Sequence, residues 1–255
     1  MKNITFIGSG NVATILSIEL QRKGYNILEV WSKTEKSAKI LADKLSCNYC
    51  VDLKNLKNPD LFIVSIKDEY IKDVVSLIQN KEIPIVHTSG SVGLDVFSNK
   101  NNFGVFYPLQ TFSKEVSLNF NNVPICIEGN NGLIQKDLLK IGKSISSNVH
   151  LVDSKQREKI HIAAVISCNF TNHMLTISES LMKDNELKFD LLKPLIRETF
   201  EKALTNSPKK VQTGPAIRKD LGIVQKHINL LSYDDKLKKL YSLISRHITS
   251  FKSSE

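Results

Sequence analysis

Ile4-Thr5-Phe6-Ile7-Gly8-Ser9-Gly10-Asn11-Val12-Ala13 is the stretch that decides how this chain folds. Its first four residues read as a short strand, and from Val12 to Lys23 apolar residues recur at spacings of three and four, as on a helix with one buried face. Between them lies a GxGxxA motif, whose position between strand and helix gives it a meaning the letters alone lack. Gly8 allows the tight turn, Gly10 lets backbone approach a pyrophosphate without a clashing Cβ, and Ala13 lets helix pack closely on strand. The helix N-terminus then offers free N–H groups and a positive dipole end to phosphates. Gly8, Ser9, Gly10, Asn11, Val12 and Ala13 are therefore candidate contacts for a dinucleotide. The plainer alternative is a glycine turn in a ligand-free βαβ unit.

Moving outward, β-rich runs alternate with helical ones to about residue 150, the signature of a parallel sheet covered by crossover helices. The strands expected are Ile4 to Ile7, Ile27 to Trp31, Leu61 to Ser65, Ile85 to His87, Val105 to Tyr107, Ile125 to Ile127 and Val149 to Val152. Helices are expected over Val12 to Lys23, Thr34 to Leu45 and Glu69 to Gln79. The fold class this predicts is α/β, a doubly wound Rossmann domain over 1–152, with its crevice at the carboxyl ends of the strands. After Asp153 the β-rich runs stop, and 153–255 reads as an all-helical domain for substrate binding and dimerisation. No Gly/Ser-rich linker separates the two.

Composition excludes several classes. With 41% hydrophobic and 24% charged residues the chain is globular, and no apolar run approaches the roughly 18 residues needed to span a bilayer. The first strand begins three residues after Met1, leaving no room for an export signal, so a cytoplasmic address is expected. Four cysteines make no disulfide framework, and Cys47-Asn48-Tyr49-Cys50 is a lone CxxC without a second ligand pair, so no metal site is expected. The net charge of +9 comes from lysines scattered among Asp and Glu, which reads as a solvated surface and argues against nucleic acid as partner.

The end of the second strand discriminates between cofactors. NAD sites commonly place an Asp or Glu there to hold the ribose hydroxyls, whereas this strand ends Trp31-Ser32-Lys33-Thr34, hydroxyls around a cation suited to a 2′-phosphate. NADP(H) is the expected cofactor, with Ser32, Lys33, Thr34 and, beyond the third strand, Ser65 among its contacts.

Resemblance to a known family is spread over nearly the full length, carried by Gly8 to Ala13, Ser65-Ile66-Lys67-Asp68, His87-Thr88-Ser89-Gly90-Ser91, Tyr107-Pro108-Leu109-Gln110-Thr111-Phe112, His161-Ile162-Ala163-Ala164 with Asn169-Phe170, and Thr213-Gly214-Pro215-Ala216-Ile217-Arg218-Lys219-Asp220. The chain resembles the Rossmann-like proteins whose C-terminal part is the domain of unknown function DUF2520. The wider architecture is similar to pyrroline-carboxylate reductases, deazaflavin-dependent NADP oxidoreductases and β-hydroxyacid dehydrogenases, which implies a Rossmann domain plus a helical dimerisation domain. A shared fold implies no substrate.

On the substrate side, Thr88, Ser89 and Ser91 follow a strand end and so should face the crevice; the hydroxyacid dehydrogenases hold a substrate carboxylate with such a turn. Gln110 and Thr111 follow another crevice-facing strand. Hydride addition to C=O or C=N also needs a proton, for which His161 and His87 are candidates, histidine being the side chain that titrates nearest neutrality. On a straight helix Asn169 lies about 80° round from His161. The hydroxyacid dehydrogenases carry a Lys and, four residues on, an Asn along this helix, where this chain has His161 and Val165. Arg218 could clamp a carboxylate or pair with Asp220 or Asp184. The function expected is NADP(H)-dependent reduction of a C=O or C=N bond in a small anionic molecule by a homodimer; the alternative is an NADP(H)-binding sensor that performs no chemistry.

Overall fold

The computed structural model describes residues 1–113 and 118–251. These form two compact units, Met1–Met174 and a second from Leu175 onward. The first is an eight-stranded sheet with helices on both faces: β1 Asn3–Ile7, α1 Asn11–Arg22, β2 Asn26–Trp31, α2 Glu35–Leu45, β3 Asn48–Cys50, β4 Leu61–Val64, α3 Ile71–Leu77, β5 Ile85–His87, β6 Phe103–Pro108, β7 Ile125–Gly129, α4 Gly132–Ile145, β8 Val149–Leu151 and α5 Ser154–Ala164. A π turn, Val165–Phe170, joins α5 to α6, Thr171–Asp184, within which the division between the units falls. The second unit continues with α7 Lys193–Thr205, α8 Leu221–Leu230 and α9 Asp235–Ser250.

Strand order is β3-β2-β1-β4-β5-β6-β7-β8. Order reverses between β1 and β4, so the loops leaving their carboxyl ends diverge and open a crevice there. β1 sits at the centre because both its faces are apolar: Ile4 and Phe6 enter one core cluster with Ala13, Leu16 and Leu20 of α1, while Ile7 enters the cluster on the opposite face with Val64, Val75 and Phe97. That is the pattern of a parallel strand covered on both sides.

The sheet departs from the all-parallel reading in one place, where β7 runs antiparallel to β6. A parallel return needs a crossover, usually a helix, and the described part of the connection holds only a single short turn, Phe120–Asn122. The first unit also runs past residue 152, where fading strand signal alone would end it. Helix α5 follows β8 directly, capped reciprocally by Asp153 and Gln156, and Arg157 ties it to β7. Among the described residues no helix is long and apolar enough to cross a membrane.

Candidate functional site

A cavity of about 750 Å³ lies over the crevice, lined wholly by residues of the first unit. At one end is the glycine turn. Gly8 has φ of +123° and its missing Cβ would strike the Ser65 carbonyl, so only glycine lets β1 turn this close to the end of β4. Gly10 is different: its φ is ordinary, and a Cβ there would project into open space. Its lack of a side chain therefore serves no packing need and leaves room beside α1, which has no side-chain cap and no acid in its first turn. That N-terminus can receive phosphate. Ser9, Asn11 and Val12 also line the cavity, Asn11 anchored by its Nδ2 donating to the Phe112 carbonyl at 2.9 Å. Ala13 is fully buried beneath the helix, acting through packing rather than contact.

At the end of β2, Trp31, Ser32 and Lys33 line the same cavity, with the Ser9 hydroxyl donating to Ser32 at 3.0 Å. Trp31 presents a buried indole N–H with no partner among the described residues. A dinucleotide fits this set: room at Gly10, free helix amides, hydroxyls and a cation beyond β2, and an unused donor. Thr34 stands outside the lining and bonds Ser37 at 2.8 Å. Lys67, quoted within the Ser65 to Asp68 motif but given no role, joins the lining, as do Tyr70 and Asp73, to which no motif pointed.

Polar groups gather at the other end. Thr88 donates to Ser65 at 3.1 Å, and the Ser89 hydroxyl accepts the Ser91 and Val92 amides at 3.0 and 3.1 Å, which shapes the turn after β5. Ser65, Thr88, Ser89 and Gly90 line the cavity together with Tyr107 and His161. The Tyr107 hydroxyl lies 3.0 Å from His161 Nδ1, with the rings edge to face at 70°. Burial pushes the Tyr107 phenol up to about 12, with smaller contributions from Cys126 and Asp68, so it stays protonated at neutral pH. Sequence reasoning placed Tyr107 in a motif but gave it no role; its hydroxyl at a strand's carboxyl end was the signal.

Arg157, one helical turn before His161, is fully buried and ion-paired with Glu128 of β7; it also donates to the Val92 carbonyl at 2.5 Å and the Ser154 hydroxyl at 3.2 Å. Glu128 in turn accepts the Ser154 amide and hydroxyl at 3.0 and 2.8 Å. One buried charge pair thus ties α5 to the sheet and to the turn after β5.

Several expected residues lie elsewhere. His87 is corrected as a proton donor: its ring is wholly buried, stacked on Phe97 at 5.4 Å, and absent from the cavity lining. Burial, aided by the Arg157 charge, drives its pKa down to about 3, so it is neutral and structural. Ser91 is exposed outside the lining. Gln110 is exposed and turns back onto its neighbour, accepting the Thr111 amide at 2.8 Å. Asn169 is exposed within the π turn and does not line the cavity. Arg218 is exposed in the second unit, and Asp220, one of the two acids it could pair with, caps α8.

Residues 3–89 match the family model described as NADP oxidoreductase, coenzyme F420-dependent, and residues 123–248 match the domain of unknown function DUF2520. The Bacteroides fragilis protein BF3122, a candidate NADP oxidoreductase, is 40% identical, with 98% of each chain covered and a TM-score of 0.93. Protein TM1727 of Thermotoga maritima is 21% identical over 97% of this chain and 100% of its own, with a TM-score of 0.80. An imine reductase of Myxococcus stipitatus, solved in complex with NADP+, shares the fold at 11% identity, 97% and 92% coverage and a TM-score of 0.70. No curated protein matches the chain. The chain belongs to the NADP oxidoreductase-like family that joins an N-terminal Rossmann domain to a C-terminal DUF2520 domain.

Proposed function

We propose that the chain is an NADP(H)-dependent oxidoreductase that reduces a C=O or C=N bond of a small anionic molecule. The observation that carries this reading is that one cavity is lined at one end by the glycine turn and at the other by the Tyr107 and His161 pair. In this reading the amides around Gly10 and the start of α1 take the pyrophosphate, Ser32 and Lys33 the 2′-phosphate, and Ser65 the nicotinamide side. Bound NADPH would supply the hydride. Thr88, Ser89 and Lys67 give the lining hydroxyls and a cation for a substrate carboxylate or similar group. The relatives support the same chemistry, BF3122 as a candidate NADP oxidoreductase and the Myxococcus enzyme as an imine reductase holding NADP+. A sensor would have no use for a proton-donating pair beside its ligand. The test is NADPH consumption by the purified chain across cyclic imines, imino acids and keto acids: turnover of one class supports the reading, and no turnover with NADPH bound would return it to the sensor.

We also assign a homodimer through the helical part. Helices α7 and α8, both within the second unit, have no buried residue, and Leu195 and Leu204 of α7 are 63% and 85% exposed. Apolar faces of this kind are covered in a stable protein, and a second copy is the occupant that the family architecture supports.

A further inference from the structure

Gly90 has no conformational need to be glycine, since its φ lies outside the left-handed region. Space is what demands it. A Cβ at this position would lie 2.6 Å from His161 Nδ1 and 2.8 Å from Tyr107 Cζ, far inside van der Waals contact. The turn after β5, strand β6 and helix α5 therefore converge on one point, and the missing side chain leaves room for the Tyr107 hydroxyl to approach His161 Nδ1 at 3.0 Å.

Resting on the reduction reading above, we propose that Tyr107 hands the proton to the reduced substrate, that His161 replaces it through Nδ1, and that Gly90 is the positioning residue that sets their approach. The phenol holds its proton at neutral pH, which makes it a donor in the resting state. It cannot leave a bare phenolate in this buried setting, so the proton it gives up must be replaced as it goes. His161 Nδ1 is the group in place to do so, and imidazole is the side chain that exchanges protons near neutrality. As the former C=O or C=N heteroatom gains its electron pair, the Tyr107 Oη–H bond breaks and a new O–H or N–H bond forms on substrate. The proton on His161 Nδ1 moves to Tyr107 Oη, leaving a neutral phenol and a neutral imidazole, and solvent returns one proton to His161. The other groups bearing on the phenol are Asp68 from the segment after β4, Cys126 of β7 and Arg157 of α5.

The pair can be tested without cofactor. Histidine-selective NMR of the cofactor-free protein at one fixed pH is expected to show the His161 ring signals displaced in Tyr107→Phe and also in Gly90→Ala, because both changes disturb the contact between Tyr107 Oη and Nδ1. Unchanged His161 ring signals in both folded variants would overturn the pair. With NADPH and a substrate found by the screen above, Tyr107→Phe, His161→Gln and Gly90→Ala should each lose about 10²- to 10⁴-fold in kcat with NADPH affinity retained. Tyr107→Phe combined with His161→Gln should lose little more than either alone, as parts of one device do. Losses that multiply in the double variant would overturn the relay. Absence of any wild-type turnover would count against the reduction reading alone, because the NMR comparison stands apart from it.

Discussion

Arg157 of α5 and Glu128 of β7 are ion-paired with the guanidinium fully enclosed, and this pair fixes the helix that carries His161 to the sheet that carries Tyr107. Removing one partner of a buried pair strands the other charge, at a cost of about 3–5 kcal/mol. Arg157→Ala should therefore lower the melting temperature by about 10 °C in calorimetry. A change within about 2 °C would show that the pair does not anchor α5.

The two glycines of the turn should fail in different ways. Gly8→Ala puts a Cβ into the Ser65 carbonyl at a left-handed φ, so it should destabilise the fold by about 2 kcal/mol or more. Gly10→Asp meets nothing within 4 Å and should leave the fold intact while a carboxylate in the phosphate path abolishes NADPH binding. Denaturant melts and NADPH titrations of both variants separate these outcomes. Unchanged NADPH affinity in folded Gly10→Asp would refute the phosphate site.

His87 should give the protein an acid weakness. Its pKa falls from an ordinary 6.5 to about 3 on folding, so below 6.5 the unfolded chain binds a proton that the native state refuses. Stability is therefore complete above 6.5 and declines as pH drops towards 3, by about 2 kcal/mol at pH 5. In urea melts from pH 7 to pH 5, a non-titrating His87→Gln variant should lack this slope even if it is less stable overall. Equal slopes in the two proteins would show that the ring is not held neutral.

Light scattering should give twice the chain mass of 28.7 kDa at micromolar concentration. Leu204→Glu, a charge at the most exposed apolar residue of α7, should shift the protein towards monomer. A wild-type monomer would contradict the dimer.

The readable parts of the sequence were those fixed by local pattern. Gly8 to Ala13, the strands around them and the hydroxyls and lysine after Trp31 carry their reasons within a few residues; of Gly8 to Ala13 and Ser32 to Thr34, all but Ala13 and Thr34 line the cavity. What depended on distant packing was not readable. The direction of β7 follows from its connection, and the burial of His87 follows from Phe97 and the turn beside it. A strand end tells that a residue reaches the crevice edge but not which way its ring turns. Asn169 was placed by α-helical phase, and the π turn winds the chain differently. Gly90 looked like part of a polar turn, because the two rings it admits come from β6 and α5.

The central claim is a cavity built for NADP(H), and titration of the purified protein with NADPH and NADH, followed by nicotinamide fluorescence at constant ionic strength, tests it most directly. A partly exposed charge-assisted contact from Lys33 and Ser32 to the 2′-phosphate contributes about 1.5 to 3 kcal/mol, or roughly ten- to a hundredfold in affinity. NADPH should bind more tightly by that factor, Lys33→Ala should lose part of the preference, and Ser32→Asp should reverse it. Equal affinities, tighter NADH binding or no binding of NADPH would contradict the account.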